Sequence, residues 1–316
     1  MPGKTKSFSD PPAPGDGLPA LPAAPIMGHD EVAEQVSQRV AQIPSLSGIL
    51  EELVRLAQHP ASGAPHFEKV IRQDPVLAGK LLQVANSTLY AREKDVKTIT
   101  EAVVLLGLDQ IRSLIFAATG SKLLAQKLEW YGYEGTGLWL HSIACAHAAR
   151  FVATAAGMKR RAAEQMYVAG LVHDVGKVML GGVLRELAPD FRAPLHVPHL
   201  GVTDIEEAHL SFSHAEAGDL IGRHWHLQAD QLAALRYHHD PALAGEHTWS
   251  AAIVHVADVV SARVGLGFAG PYRFRAELAP KAAAVLGLKP EVIVECGTAL
   301  RRQADQLARI YAAFVG

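Results

Sequence analysis

The apolar positions of this chain recur at helical spacing almost from end to end. In 45-SLSGILEELVRLAQHP-60, Ile49, Leu53 and Leu56 fall on one face, and Pro60 is placed to stop the helix. In 66-HFEKVIRQDPVLAGKLLQVANSTLY-90, Asp74-Pro75 predicts a helix start with proline at the first position, and Leu77, Leu81 and Val84 predict its buried stripe. The stretch 98-TITEAVVLLGLDQIRSLIFAATGSKLL-124 divides into two helices at Gly107, the first opened by a capping box of Thr98 and Glu101. Helical patterns resume at 138–157, 161–172, 175–187, 204–226, 228–238, 247–265 and 289–314. Strand-like alternation is scarce, so the predicted fold class is all-α, with helices packed through their apolar stripes.

Three stretches interrupt that pattern. Residues 1–28 are dominated by Pro, Gly, Ala and Ser and are expected to form a flexible tail, with Leu18, Leu21 and Ile26 able to dock locally. The irregular piece 129-EWYGYEGTGLW-139 is the predicted boundary between an N-terminal helical half (29–137) and a second half (138–270), followed by a C-terminal extension (271–316). The loop 192-RAPLHVPHLGVTD-204, with two prolines, is the longest other interruption. The helix–Gly–helix look of 102-AVVLLGLDQIRSL-114 reads as core packing, since its second helix offers Leu, Ile and Phe with one Arg to a would-be DNA groove.

Composition narrows the function classes. The chain of 316 residues is 49% hydrophobic and 20% charged with a formal net charge of −2, which gives no footprint for nucleic acid or an anionic membrane. Cys145 and Cys296 lie far apart without a CxxC partner and read as small core residues of a reducing compartment. No signal peptide is evident, and the alanine-rich stretches are broken well before the roughly 18 apolar residues of a membrane span. A cytoplasmic location is the expectation.

The unusual feature is the set of 16 histidines, most of them between His141 and His255. Transition metals at hydrolytic sites take imidazole nitrogens and carboxylate oxygens, with a position left for water. His141, the pair His173-Asp174 in 170-GLVHDVGKVML-180, His214, the run His238-His239-Asp240 and Asp258 each interrupt an apolar helical stripe. Taken singly, His141 or His214 reads more simply as a core or cap histidine. Asp240 before Pro241 reads as a turn residue and Lys177 as a surface lysine. Side chains adjacent on a regular helix diverge by about 100°, so His173 and Asp174 can share an ion only near a helix end or an irregular turn, with which Gly176 is compatible. The same holds for His238 and His239 ahead of Pro241. What favours a metal site is the joint order His, His-Asp, His, His-His, Asp.

In that order the second half resembles the HD superfamily of metal-dependent phosphohydrolases. The resemblance implies that His141, His173, Asp174 and Asp258 bind a first divalent metal. His214, His238 and His239 match the further ligands of the HD-GYP branch, which hold a second ion beside the first, and Lys177 matches the lysine that faces substrate phosphate there. In the first half, 73-QDPVLAGKLLQVANSTLY-90 followed by 98-TITEAVVLLGLDQIRSLI-115 is similar to the signature of the HDOD family of bacterial signalling proteins, as are 138-LWLHSIACA-146, SHAEAG and YHHDP. This implies an HDOD-specific N-terminal helical subdomain packed on an HD-type bundle. Two departures stand out: 238-HHDPALAGEHTWS-250 lacks a Gly-Tyr-Pro segment, and Gly137 stands where part of that branch has a further Glu ligand for a third metal.

The resemblance therefore implies a signal-transduction protein that acts through a protein partner or a bound nucleotide, with one or two divalent ions (Fe, Mn, Zn or Ni). The alternative is a phosphohydrolase acting on a nucleotide or cyclic dinucleotide, with Asp174 and Lys177 as catalytic residues. A partner contact is expected on the face of the 73–115 helices and the tail, with any input supplied in trans. His255, three residues before Asp258, is a candidate partner of that ligand. The remaining histidines are read as solvated or structural.

Overall fold

A computed structural model describes residues 22, 24–43, 48–58, 62–87, 90, 95–133, 135–187, 201–267 and 278–312. Among them there are fifteen α-helices and no strand. The N-terminal group comprises α1 (His29–Gln42), α2 (Gly48–Gln58), α3 (Ala64–Ile71), α4 (Pro75–Ala85), α5 (Ile99–Leu106) and α6 (Leu108–Leu124). Then follow α7 (Gly137–Ala155), α8 (Arg160–Val172), α9 (Gly176–Leu187), α10 (Val202–Leu210), α11 (His214–His224), α12 (Ala229–Tyr237) and α13 (Thr248–Val264). The short α14 (Ala282–Val285) and the long α15 (Pro290–Ala312) close the chain.

The local signals explain the boundaries. Asp74 caps α4 by accepting from the amides of Val76 and Leu77 (both 3.0 Å), ahead of Pro75. Thr98 and Glu101 form the capping box of α5, and Gly107, at φ 83°, ends α5 and opens α6. The predicted 204–226 helix is broken into α10 and α11. Ser211 leaves α10 in the left-handed region at φ 52°, and Ser213 and Glu216 close a capping box on α11, whose local bonds compete with helix continuation. The tail positions Leu18 and Leu21, the stop signal at Pro60 and most of the 192–204 loop lie outside the described residues. The Ile26 side chain is exposed, and what docks there is its amide, on the carbonyl of His209 at 2.7 Å.

The core is organised on α7, which is buried along most of its length and packs on α8, α13 and α15. Its Trp139 is fully buried. The α7–α8 crossing is close because Gly170 faces Cys145 and Ala149; a Cβ on Gly170 would lie 2.9 Å from both the Cys145 carbonyl oxygen and the Ala149 methyl. Helices α2–α6 pack among themselves and reach the second half through α6 on α8. Helix α1 lies against α9 and α11 through Val32, Val36 and Val40, with Arg39 paired to Glu186 at 2.7 Å. Residues 160–186 are apolar and long enough to cross a membrane, yet the stretch turns at 173–175 and is almost wholly buried against other helices.

On an open helix face Gly→Ala would stabilise by up to about 1 kcal/mol. At position 170 the added methyl has no room. Gly170→Ala is expected to destabilise the protein by about 1–3 kcal/mol through overpacking, measured as a lower midpoint in urea with an unchanged slope. A midpoint at or above wild type would show that α7 and α8 are not held at this distance.

Candidate metal centre

Five elements bring the seven predicted residues together. His141 sits one turn into α7, and Asp258 lies in the middle of α13. His173 and Asp174 fall where α8 has ended at Val172 and α9 has not begun, so the divergence of neighbours on a regular helix does not apply. Gly176 makes that break possible. A Cβ there would stand 1.9 Å from the His214 carbonyl oxygen and 2.7 Å from the Gly218 amide nitrogen, so only glycine lets the start of α9 rest on the start of α11. His214 is the first residue of α11. His238 and His239 follow the end of α12, and Asp240 is a turn residue that accepts from the Ala242 amide at 3.3 Å.

The donor atoms form two groups, each with its ligand atoms within 4.8 Å of one another: His141, His173 and Asp258, and Asp174, His214, His238 and His239. Asp174 faces both. Its Oδ2 lies 3.4 Å from His173 Nε2 and 3.6 Å from His141 Nε2, while its Oδ1 lies 3.3 Å from His214 Nε2 and 3.9 Å from His238 Nε2. Asp258 Oδ1 is 3.0 Å from His141 Nε2 and 3.6 Å from His173 Nε2. All are buried except Asp258 and His239, which keep partial exposure and mark the side from which solvent reaches the site.

Contacts at Nδ1 fix which nitrogen of three of the rings faces inward. His173 Nδ1 donates to the Gly170 carbonyl and His238 Nδ1 to the Leu235 carbonyl, both at 2.8 Å. His214 Nδ1 is held by the Glu206 carboxylate at 2.7 Å. Nε2 of these three rings is therefore the inward atom, and in a neutral ring it carries a lone pair. His214 Nε2 lies 3.4 Å from His238 Nε2 and 3.0 Å from His239 Nε2, so three ring nitrogens converge on one point as the ligands of a single ion would. His173 Nε2 and Asp174 Oδ1 are buried without a well-formed hydrogen bond. These are the marks of donor atoms suited to a metal ion.

The electrostatics agree. Burial alone would raise the Asp174 pKa, but the adjacent His173 and Lys177 hold it well below the usual carboxylate range. Burial is likewise outweighed at Asp258 by the nearby rings of His141 and His173, so both acids are ionised at neutral pH. Burial, reinforced by neighbouring histidines, keeps His238 and His239 well below the ordinary histidine range and hence neutral. At His173 and His214 nearby carboxylates overcome burial and raise the pKa, which reports the pull of the site on positive charge.

Lys177 is buried, with Nζ 2.6 Å from Asp174 Oδ2 and 5.7 and 5.6 Å from the ring centres of Tyr131 and Tyr133. It faces the site rather than solvent. Tyr131, Tyr133 and Glu206 join the site without a motif in the sequence that marks them. Both tyrosines come from the irregular piece expected to be a boundary; the one available signal is three aromatics, Trp130, Tyr131 and Tyr133, within four residues of a turn. Glu206 is hidden in 202-VTDIEEAHL-210 beside the exposed Glu207, and only its position eight residues before His214 connects it to the site. His255 senses Asp258 through its charge, but its ring nitrogens bond elsewhere. It braces the His238 backbone, Nδ1 donating to the His238 carbonyl at 2.6 Å and Nε2 accepting from the Ala279 amide at 2.8 Å. At position 137 a Cβ would lie 2.3 Å from the Gly267 carbonyl oxygen, so no side chain fits there unless the turn after α13 shifts.

Among the remaining histidines, His147 is buried edge-on against Tyr167, while His209 and His224 bond the carbonyls of Ile205 and Ile43. His59, His196 and His199 lie outside the described residues.

The two bonds of His255 require a neutral ring, and burial lowers its pKa from the ordinary 6.5. The unfolded chain therefore takes up a proton first as pH falls through about 6.5. Stability due to this group is present above that pH and lost below it, with a limiting slope of about 1.4 kcal/mol per pH unit. Urea titrations between pH 8 and 5 should show a shallower loss in His255→Gln, whose amide can donate and accept in the same way without titrating. Equal slopes would contradict the assignment.

The HDOD domain family matches residues 43–241, well over half of the chain. An uncharacterised protein of Treponema pallidum (strain Nichols) is 25% identical over 217 residues, covering 66% of this chain and 40% of that protein. The chain thus spans less than half the length of that relative. Among solved structures, a candidate signal transduction protein of Marinobacter aquaeolei VT8 superposes with a TM-score of 0.69 at 22% identity, covering 91% of this chain and 66% of the other. A candidate metal-dependent phosphohydrolase of Shewanella amazonensis SB2B gives 0.56 at 18% identity, covering 90% and 98% respectively. At these identities the likeness is one of fold. The family match over the helices that carry six of the seven clustered residues makes this chain a member of the HDOD domain family.

Proposed function

We propose that this HDOD protein is a signal-transduction module whose HD-type centre holds divalent metal and a phosphate-bearing ligand, a nucleotide or cyclic dinucleotide. The observation that carries the reading is the Asp174 carboxylate, one oxygen toward each of two donor groups. His141, His173 and Asp258 would hold one ion, and His214, His238 and His239 another, with Asp174 shared between them. A pair of ions held this way supplies Lewis acidity, a lowered pKa for bound water and a clamp on phosphoryl oxygens. Fe, Mn, Zn and Ni all accept this ligand set.

The chain's own residues argue for recognition before turnover. Lys177, the cation that would meet phosphate charge, is committed to Asp174 and enclosed by Tyr131 and Tyr133. The approach to the site lies on the side of Asp258 and His239, where a ligand phosphate would enter. Output would pass to a protein partner over α4–α6, the face that leaves Val76 and Val104 exposed. The second reading, phosphohydrolase action, is favoured by the completeness of the ligand set. In it Asp174 would be the carboxylate shared by the two ions and Lys177 would stabilise the charge developing on phosphate.

Elemental analysis of the purified protein, with and without anaerobic reconstitution, should find stoichiometric Fe, Mn, Zn or Ni that is lost in a His173→Ala, Asp174→Ala double variant. Nucleotides and cyclic dinucleotides should then bind only the metal-loaded protein, without sustained turnover. Absence of metal after reconstitution would sink the proposal. Turnover abolished by Asp174→Ala would replace it with the hydrolase reading.

A further inference from the structure

Glu206 is a carboxylate buried to 3% exposure on α10, outside both donor groups. A charge so placed is expensive unless donors surround it, and three do. Its Oε2 accepts from the His214 amide at 2.9 Å and from His214 Nδ1 at 2.7 Å, and its Oε1 accepts from the Tyr131 hydroxyl at 2.7 Å. Every bond it makes here ends on His214 or on a residue that orients it toward His214.

The other inward rings are held differently. His173 and His238 each bond a carbonyl three residues back, in the last turn of the helix they follow, so their orientation comes with the backbone. His214 sits at the first position of α11, where no preceding turn offers such a carbonyl, and its ring depends on a side chain from another element. That side chain depends in turn on Tyr131. The 3-10 turn bearing Tyr131 is fixed by the Leu128–Tyr133 bridge, with mutual amide–carbonyl bonds of 3.0 and 3.1 Å. The same turn brings the rings of Tyr131 and Tyr133 against Lys177. The connection between α6 and α7 therefore reaches both the ring of His214 and the lysine beside Asp174.

We propose that Glu206 is the positioning residue of the Asp174–His214–His238–His239 position, and that Tyr131 holds Glu206 for that task. The affinity of this position relative to the His141–His173–Asp258 position is then set from the α6–α7 connection as well as by the ligands. A carboxylate on Nδ1 selects the tautomer that presents Nε2 and makes that nitrogen a better donor. The inference rests on the metal centre proposed above, and it concerns residues that centre does not itself contain.

The test is calorimetric and visible-absorption titration of the full-length, metal-stripped protein with Co2+, comparing wild type, Glu206→Ala, Glu206→Gln, Tyr131→Phe and the control Glu207→Ala. Wild type and Glu207→Ala should bind two ions in separable steps. Glu206→Ala should lose roughly 10–100-fold in one step only, with a change in the absorption of that ion alone. Glu206→Gln, which can still accept from Nδ1 but carries no charge, should fall between the two, and Tyr131→Phe should shift the same step in the same direction. If Glu206→Ala does not fold, the Gln and Phe variants decide the matter. Unchanged steps in folded variants, or equal loss in both steps, would overturn the role of Glu206 while leaving the metal centre intact. A wild type that binds no Co2+ would overturn the centre and this inference together.

Discussion

The carboxylate of Asp174 is the contact on which the second half of this protein converges. One oxygen meets Lys177, His173 and His141, and the other meets His214 and His238. A side chain in mid-helix could not do this while its neighbour His173 faced the same point. The chain resolves the conflict by ending α8 at Val172 and restarting at Gly176, with three residues of turn between. That restart is in turn possible only because Gly176 has no Cβ to strike α11. The geometry of a single glycine thus determines whether two donor groups can meet.

Burying so many polar groups is unfavourable unless each has a partner, and the structure supplies partners in layers. Backbone carbonyls in the last turn of the preceding helix take Nδ1 of His173 and His238. Farther out, His255 ties the His238 carbonyl to the segment before α14, so the C-terminal residues also support the site. Glu206 and Tyr131 brace His214 from α10 and from the turn before α7. The arrangement is densely bonded at its base and more open near Asp258 and His239, as a centre needs to be if it is to admit a ligand while holding its inner atoms in place.

Much of this was legible in the sequence, for physical reasons. Helical periodicity and explicit caps at Asp74, Thr98 and Gly107 located elements of the first half to within a residue or two. The seven polar residues interrupting apolar stripes are the seven that the fold gathers. The break of the 204–226 stretch is also written there, since Ser213 and Glu216 have capping-box spacing within otherwise helical sequence. Glu206, Tyr131 and the role of His255 were not legible. Each acts across more than one element, and no local pattern separates a glutamate that turns inward from its exposed neighbour Glu207.

If Asp174 joins two metal positions, ions bound there must sense one another. Electron paramagnetic resonance of the protein loaded with two equivalents of Mn2+ tests this directly. The account predicts the multiline signal of an exchange-coupled pair, replaced in Asp174→Asn by the six-line signal of isolated Mn2+. Two tightly bound ions giving only the isolated six-line signal in the wild type would contradict it.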